Sequence, residues 1–121
     1  MGEKIVVILD DQSEVLLRIK TALEIDRKYE CLICTNPESA KKAINTFAVH
    51  AVVTDVCLDV NENVNGFEFA KQIKEMGYTG KIAIMTGYIP NKIPDEYYGL
   101  FDVFFRKPFQ ISELRQWLDS F

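Results

Sequence analysis

The stretch Ala51-Val52-Val53-Thr54-Asp55 is a short apolar run that closes in a carboxylate. Three other runs share this form, since each is short and apolar and is soon followed by a polar side chain. They are Ile5 to Leu9, followed by Asp10 and Asp11, Ile82 to Met85, followed by Thr86, and Val103 to Phe105, followed by Lys107. Runs that are apolar at every position are typical of strands buried on both faces of a parallel sheet. Parallel strands share one carboxyl edge, where open α/β sheets bind ligands, so we expect these polar groups to meet around Asp55.

Between these strands the apolar residues recur at helical spacing. The predicted helices run from Gln12 or Ser13 to Ile25, from Pro37 to Phe47, from Gly66 to Gly77 and from Ser112 to Phe121, and a weaker strand covers Glu30 to Cys34. Asp11 and Ser13 are candidate N-caps of the first helix, and Ser112 is the candidate for the last. Strands that alternate with helices predict an α/β fold, with a parallel sheet covered on both faces and right-handed crossovers.

Two stretches are predicted to be irregular. A polar loop is expected from Asp55 to Asn65. Between Gly87 and Leu100, Pro90 and Pro94 exclude a long helix, because proline inside a helix removes a hydrogen bond and clashes with the preceding turn. We therefore expect an atypical fourth helix that is short or irregular and begins at about Pro94.

Composition excludes several classes of protein. The 121 residues suffice for one domain, and 48% of them are apolar, which excludes a disordered chain. The net charge of −4 argues against direct binding of nucleic acid. No apolar run approaches the length that spans a bilayer and no signal peptide is recognisable, so we expect a cytoplasmic protein without membrane contact. Cys31 and Cys34 have CxxC spacing, but on a strand they would point to opposite faces, which favours buried apolar side chains over a redox or zinc site.

The polar groups at the predicted edge have a shared chemistry. Asp10, Asp11 and Asp55 would repel one another unless a cation or a proton intervened, and oxygen ligands of this kind suit Mg²⁺. Lys107 offers a compact positive charge and Thr86 a hydroxyl donor, which are the groups that stabilise a transferring phosphoryl group. A carboxylate can itself be the nucleophile and form an aspartyl phosphate.

Each of these residues also has an ordinary structural explanation. Taken alone, Asp10 and Asp11 are better explained as helix caps, and Asp55 is explained equally well as a turn residue. Thr86 alone can be explained as an ordinary strand-end threonine, and Lys107 as a solvated charge. The functional hypothesis depends on all of these positions falling at the carboxyl ends of strands, in this order, on an alternating pattern.

The chain resembles the receiver domain of bacterial two-component response regulators along essentially its whole length. The resemblance is carried by Asp10-Asp11 after the first strand, Asp55 after the third, Gly66 at the start of a helix, Thr86-Gly87 after the fourth strand and Lys107-Pro108 after the fifth. It implies a flavodoxin-like (βα)5 doubly wound sheet with strand order 2-1-3-4-5, and residues 1–121 forming a single receiver domain.

The resemblance also implies how a metal and a phosphoryl group are bound. Asp55 would accept the phosphoryl group from a phosphohistidine of a sensor kinase or of a histidine phosphotransfer protein. Asp11, Asp55 and the backbone carbonyl of Cys57 would bind Mg²⁺, with Mn²⁺ as the alternative ion, and Asp10 would contribute mainly through water. Lys107 would bind the phosphoryl oxygens.

Further implied features concern signalling. Thr86 would bind the phosphoryl group too and, together with Phe104, form the switch, and the Lys107–Pro108 bond would be cis. Such a protein is not an enzyme beyond its own phosphorylation and dephosphorylation. It would act as a monomer or weak homodimer and signal to a protein partner through the surface formed by residues 88–105.

Three departures from the family's pattern bear on these expectations. The usual Met-Pro after the phosphoacceptor is replaced by Leu58-Asp59, in a loop that is longer than usual and gains the charges of Asp59 and Glu62. These changes leave the phosphoryl chemistry intact but could alter metal affinity or kinase docking. The prolines at 90 and 94 put a standard output surface in doubt.

Two alternative functions compete with this interpretation. A haloacid-dehalogenase-like phosphatase also uses an aspartate nucleophile, Mg²⁺, a hydroxyl and a lysine. Its general acid normally follows the nucleophile by two residues, where this chain has Cys57, which is a poor acid. The second alternative is a pseudo-receiver that is not phosphorylated and serves as a protein scaffold.

Overall fold

Five parallel strands form the central sheet of the protein in the computed structural model, which describes residues 3–59, 64–87, 97 and 99–121, with the backbone alone at 57–59 and 64. The elements in chain order are β1 (Lys4–Leu9), α1 (Ser13–Glu24), β2 (Tyr29–Cys34), α2 (Pro37–Thr46), β3 (Val49–Asp55), β4 (Cys57–Asp59), β5 (Val64–Asn65), α3 (Gly66–Glu75), β6 (Lys81–Thr86), β7 (Val103–Arg106) and α4 (Ile111–Leu118).

The sheet has the order β2-β1-β3-β6-β7, and every neighbouring pair in it is parallel. Because β6 and β7 are its fourth and fifth strands along the chain, this is the predicted order 2-1-3-4-5, and the flavodoxin-like fold is confirmed. Val53 in β3 lies between Ile8 of β1 and Ala83 of β6, so the strand that ends in Asp55 is central.

Both faces of the sheet are covered by helices. Along β1, Val6 and Ile8 pack on the side of α1 and α4, whereas Val7 and Leu9 pack on the side of α2 and α3. All four side chains are fully buried. Full burial on both faces explains why the strand is apolar at every position, since each buried Val, Leu or Ile contributes roughly 1.5–3 kcal/mol relative to exposure.

The two cysteines of the CxxC spacing follow the same alternation. Cys31 lies in the core on the α1 side and Cys34 in the core on the α2 side, and both are free thiols. Burial raises the pKa of the Cys31 thiol to about 12 and also raises that of Cys34. The prediction of buried structural residues is confirmed, because neither thiol is set up to ionise.

Two predicted helix ends agree with the structure. Pro37 is the first residue of α2, and the Asn36 side chain caps it by accepting the backbone N–H of Ser39 at 2.9 Å. Gly77, which follows the C-cap residue Met76 of α3, has a φ of 101°, and the N–H of Gly77 donates to the Lys74 carbonyl and that of Tyr78 to the Ile73 carbonyl. These two bonds form a Schellman motif, which needs a positive φ at the glycine.

The predicted N-caps of α1 and α4 are wrong. Gln12, and not Asp11 or Ser13, is the N-cap of α1, because the preceding turn is closed by Asp10, whose Oδ1 accepts the Gln12 N–H at 2.9 Å. At α4 the N-cap is Gln110 and the helix begins at Ile111, one residue before Ser112, with no side-chain cap.

The predicted polar loop from Asp55 to Asn65 is also wrong in part. Asp55 belongs to β3, and β4 pairs with β5 in a short antiparallel ladder in which Cys57 faces Asn65. The predicted fourth helix from about Pro94 lies outside the described residues, apart from Tyr97. In the part of the chain that is described, no helix is both long and apolar enough to cross a membrane.

Candidate functional site

The polar residues predicted to converge do so at the carboxyl edge of the sheet. Asp10 and Asp11 directly follow β1, and Asp55 is the last residue of β3. Each of the three aspartates has a carboxylate oxygen that lies within 4.8 Å of such an oxygen of the other two. Parallel pairing produces this arrangement, because it ends neighbouring strands at one edge.

Asp10 is the buried member of the group. Its side chain is 0% exposed, and both of its oxygens are bound. Oδ1 accepts the Gln12 N–H at 2.9 Å, and Oδ2 accepts the ammonium of Lys107 at 2.6 Å. A buried carboxylate is tolerated only when it is paired and hydrogen-bonded, so these two contacts account for its burial. Asp10 thus holds Lys107 in the crevice.

Lys107 spans the gap between two of the carboxylates. Its Nζ lies 2.6 Å from Asp10 Oδ2 and 3.4 Å from Asp55 Oδ2, and its side chain is 21% exposed. Burial by itself would lower the pKa of the ammonium, but the carboxylates of Asp10 and Asp55 outweigh it and raise that pKa. Lys107 is therefore a firmly charged cation placed beside Asp55.

The backbone around Lys107 ties it to the neighbouring strand end. The Lys107 N–H donates to the carbonyl of Thr86 at 2.6 Å, and the Lys107–Pro108 peptide bond is cis, as the resemblance implied. Thr86 is the last residue of β6 and is only 1% exposed. The structure thus places Thr86 and Lys107 side by side, next to the acidic group.

Asp11 is the exposed member of the acidic group. Burial, together with a hydrogen bond and the charge of Asp10, raises the pKa of its carboxyl group despite the opposing charge of Lys107. Three carboxylates face one ammonium here, so the cluster carries excess negative charge. The donor set consists of oxygens alone and includes an exposed carboxylate, which fits a hard divalent cation that keeps part of its water shell.

The peptide that follows Asp55 is held from two sides. The Val56 N–H donates to the Met85 carbonyl at 3.2 Å, and the Gly66 N–H donates to the Val56 carbonyl at 2.8 Å. A Cβ at position 66 would overlap the Asp55 carbonyl oxygen and lie 2.9 Å from its carbonyl carbon. Glycine is therefore required at the start of α3 by close backbone approach.

Two other predicted residues lie differently. Cys57 opens β4, two residues beyond Asp55. Phe104 is partly buried on the α3 side of the sheet, where its ring packs against Phe67 and Phe101. The switch role implied for Phe104 stays a prediction.

Sequence reasoning missed several residues near the site. Gln12 donates to Asp10, and the aspartate two residues before it is a recognisable signal of such a turn. Phe67 and Glu68 contact Tyr97, which lies about thirty positions further along the chain. That contact had no local signal, because a helical Phe reads as an ordinary core residue.

Comparison with solved structures supports the fold. A CheY-like response regulator receiver domain from Methylobacillus flagellatus is 25% identical, with a TM-score of 0.83 and 98% of each chain covered. The response regulator TrrA of Thermotoga maritima, solved in complex with Mg(2+)-BeF, is 23% identical, with a TM-score of 0.81 and 97% of each chain covered. A Burkholderia pseudomallei response regulator with a phosphorylated aspartic acid, calcium ion and citrate is 18% identical, with a TM-score of 0.82, covering 98% of this chain and 68% of that one.

Sequence comparison identifies the family. A search of curated proteins finds no significant match. The sequence profile described as "Response regulator receiver domain" matches residues 6–119, which is nearly the whole chain. With the strand order 2-1-3-4-5 and the acidic group at the carboxyl edge, this match shows that the chain belongs to the response regulator receiver domain family.

Proposed function

We propose that this protein is a phosphoacceptor that takes a phosphoryl group onto Asp55 from a phosphohistidine of a sensor kinase or a histidine phosphotransfer protein. The observation that carries the proposal is the convergence of the Asp10, Asp11 and Asp55 carboxylates around the Lys107 ammonium. Family membership supports it, because receiver domains act with such partners. It favours this function over the haloacid-dehalogenase-like alternative.

The transfer needs a nucleophile and a way to balance charge. A carboxylate oxygen of Asp55 attacks the phosphorus, the new P–O bond forms as the P–N bond to imidazole breaks, and the bonding electron pair stays on the ring nitrogen. Lys107 Nζ lies 3.4 Å from Asp55 Oδ2, and it would pair with the incoming phosphoryl oxygens. Thr86, at the adjacent strand end, supplies a hydroxyl donor.

A divalent metal would complete the charge balance. Asp11, Asp55 and the backbone carbonyl of Cys57 would hold Mg²⁺, or Mn²⁺ in its place, and Asp10 would act through water. A bound divalent cation supplies positive charge to the phosphoryl oxygens. The solved relatives support this assignment, since TrrA was solved with Mg(2+)-BeF and the Burkholderia protein has a phosphorylated aspartic acid.

The biological setting follows from the same proposal. The protein would work in the cytoplasm as part of a phosphorelay and would signal by contact with another protein. It would catalyse only its own phosphorylation and dephosphorylation, and act on no other substrate.

Intact-mass spectrometry tests the proposal. Wild type, Asp55→Asn and Asp26→Asn are incubated with acetyl phosphate and Mg²⁺, and a parallel set receives a chelator. Asp26 is the control because it is an exposed carboxylate paired with Arg115, remote in sequence from the acidic group. We expect one phosphoryl group on wild type and on Asp26→Asn, and none on Asp55→Asn or in the chelated samples.

Two results would oppose the proposal. Equal labelling of wild type and Asp55→Asn would show that the phosphoacceptor lies elsewhere. A wild type that stays unlabelled with Mg²⁺ and an excess of donor would favour the scaffold alternative, in which phosphate plays no part.

A further inference from the structure

The first turn of α3, formed by Gly66, Phe67 and Glu68, contacts two separate parts of the protein. On one side it meets the peptide after Asp55, through the bond from the Gly66 N–H to the Val56 carbonyl at 2.8 Å. A Cβ at position 66 would lie 3.1 Å from the Val56 Cα as well as overlapping the Asp55 carbonyl oxygen. The two backbones are in direct contact, so a shift of one must displace the other.

On its other side the turn meets a group of rings that we call the aromatic cluster, made of Phe67, Tyr97, Phe101 and Phe104. Phe67 is only 4% exposed. It stacks on Tyr97, with ring centroids 5.4 Å apart and planes 14° from parallel, and meets Phe101 at 5.8 Å. It also meets Phe104 edge-on at 6.0 Å. Phe67 is therefore the member that touches all three other rings.

A polar contact reinforces the same connection. The Tyr97 hydroxyl donates to Glu68 Oε2 at 3.2 Å. The Glu68 N–H in turn donates to the Asn65 side chain at 2.9 Å, which caps the helix and fixes the direction in which α3 begins. Tyr97 is thus held by two consecutive residues of a turn whose first residue abuts Asp55.

We propose that Phe67 couples the state of Asp55 to the position of Tyr97 and Phe104. The inference rests on the proposed function, because the state in question is the presence of a phosphoryl group on Asp55. A change in the Asp55–Val56 peptide displaces Gly66, the first turn of α3 moves with it, and the ring of Phe67 carries the displacement into the aromatic cluster. Packed rings favour a few relative geometries, so they pass on such a displacement instead of absorbing it.

This route differs from a switch that involves Thr86 and Phe104 alone. Phe104 is packed against Phe101 at 4.6 Å and against Phe67, so its position depends on where α3 begins. Phe104 also has no hydroxyl group to bond at the surface, which leaves packing to determine its position. Phe67 is therefore a positioning residue in signalling and has no part in the phosphoryl chemistry itself.

The first test compares Phe67→Leu with Phe69→Leu. Phe69 lies in the same helix and is also buried, but among the described residues its ring pairs with none of the aromatic cluster. Intact mass gives the phosphoryl occupancy of each protein, and amide NMR shifts on phosphorylation are read at Tyr97, Leu100 and Phe101. We expect both variants to reach the phosphoryl occupancy of wild type. In Phe67→Leu only, the shift changes on phosphorylation should be at least about two-fold smaller than in wild type, which is the scale on which a single residue affects coupling.

Either of two outcomes would contradict the proposal. If Phe67→Leu keeps wild-type shift changes at Tyr97 and Phe101, or if Phe69→Leu loses them to the same degree, the coupling does not run through Phe67. Failure of the proposed function gives a different result, since it leaves wild type without any phosphoryl group.

A second test needs no phosphoryl group and examines the route from the Asp55 peptide through Phe67 by itself. Gly66→Ala forces the Asp55 peptide and α3 apart, whereas Gly87→Ala is its control, because a Cβ there has nothing within 4 Å. Gly66→Ala should shift the amides of Tyr97 and Phe101, Gly87→Ala should not, and combining Gly66→Ala with Phe67→Leu should reduce the shift at least about two-fold. An unreduced shift in the double variant would overturn the inference.

Discussion

The two edges of the central sheet both hold a Lys–Asp pair, and the pairs differ in burial. At the carboxyl edge, Lys107 and Asp10 are 2.6 Å apart, and their side chains are 21% and 0% exposed. At the amino edge, Lys81 and Asp102 are 3.8 Å apart, and their side chains are 50% and 36% exposed. The first pair is buried among further carboxylates, whereas the second lies in solvent.

The difference separates a structural role from a functional one. At the amino edge, Asp102 has a clear role in folding, because its Oδ2 accepts the Ile82 N–H at 2.8 Å where β6 begins. At the carboxyl edge, three carboxylates crowd together although like charges at short range repel one another and cost stability. This energetic cost supports the proposal that the edge binds a cation and a phosphoryl group.

Removal of the lysine at each edge should give the largest contrast. Lys107→Ala leaves the buried Asp10 carboxylate without its cation and should lower the free energy of unfolding by about 3 kcal/mol in metal-free buffer. Lys81→Ala loses an exposed pair and should cost no more than about 1 kcal/mol. Urea denaturation at neutral pH measures both. Equal losses at the two edges would contradict the distinction drawn here.

At the amino edge, we expect the substitution Phe121→Ala to lower stability without reducing phosphorylation. Phe121 stacks on His50 with ring centroids 4.6 Å apart and meets Trp117 edge-on at 4.9 Å. Phe121→Ala should cost roughly 1–2 kcal/mol, because it removes two ring pairs and part of their burial. Ile25→Ala is the control, since that side chain is 81% exposed and should be neutral.

The same Phe121→Ala protein should be phosphorylated like wild type. The comparison is made by intact mass with acetyl phosphate and Mg²⁺ at a temperature where both proteins are folded. A loss of phosphorylation in the folded variant would mean that the two edges are not independent.

A smaller effect, and a gain in stability instead of a loss, is expected when Asp11, the exposed aspartate of the site, is neutralised. The pKa of Asp11 is raised, so its ionised form is disfavoured in the folded state and costs stability once it ionises. Asp11→Asn should therefore stabilise the metal-free protein at neutral pH, and only slightly, because solvent screens the charge of an exposed carboxylate. Asp10→Asn should not stabilise, because it removes the partner of Lys107.

The gain in stability from Asp11→Asn should depend on pH. The gain from Asp11→Asn should be full above the raised pKa and should vanish as the pH falls below the ordinary value of 3.8, where the carboxyl is protonated in both folded and unfolded chains. Unfolding curves at several pH values check this, and a gain in stability that is constant with pH would point to a cause other than charge.

Fluorescence titration should show weaker Mg²⁺ binding in Asp11→Asn than in Asp10→Asn.

Much of the fold could be predicted because its signals are local. The fully apolar strands, the proline that begins α2 and the glycine after α3 each follow from the physical demands of a few adjacent residues. The three aspartates could be placed together for the same reason, since strand ends of a parallel sheet share an edge. Once the strand order was right, their convergence needed no further information.

The remaining features depend on competition or on long-range contacts. Asp11 and Ser13 were plausible N-caps of α1. However, the Asp10 carboxylate accepts the Gln12 N–H, and this hydrogen bond determines how the helix begins. The stacking of Phe67 on Tyr97 joins residues far apart in the chain. No periodicity in either segment indicates such a contact.

Peptide mapping would show whether Asp55 is the residue that carries the phosphoryl group. Wild type is treated with acetyl phosphate and Mg²⁺, digested in acid to preserve an acyl phosphate, and sequenced by tandem mass spectrometry. We predict one phosphoryl group, located on Asp55 and lost on brief exposure to base. A phosphoryl group on Asp10, on Asp11 or on a base-stable hydroxyl residue would contradict it.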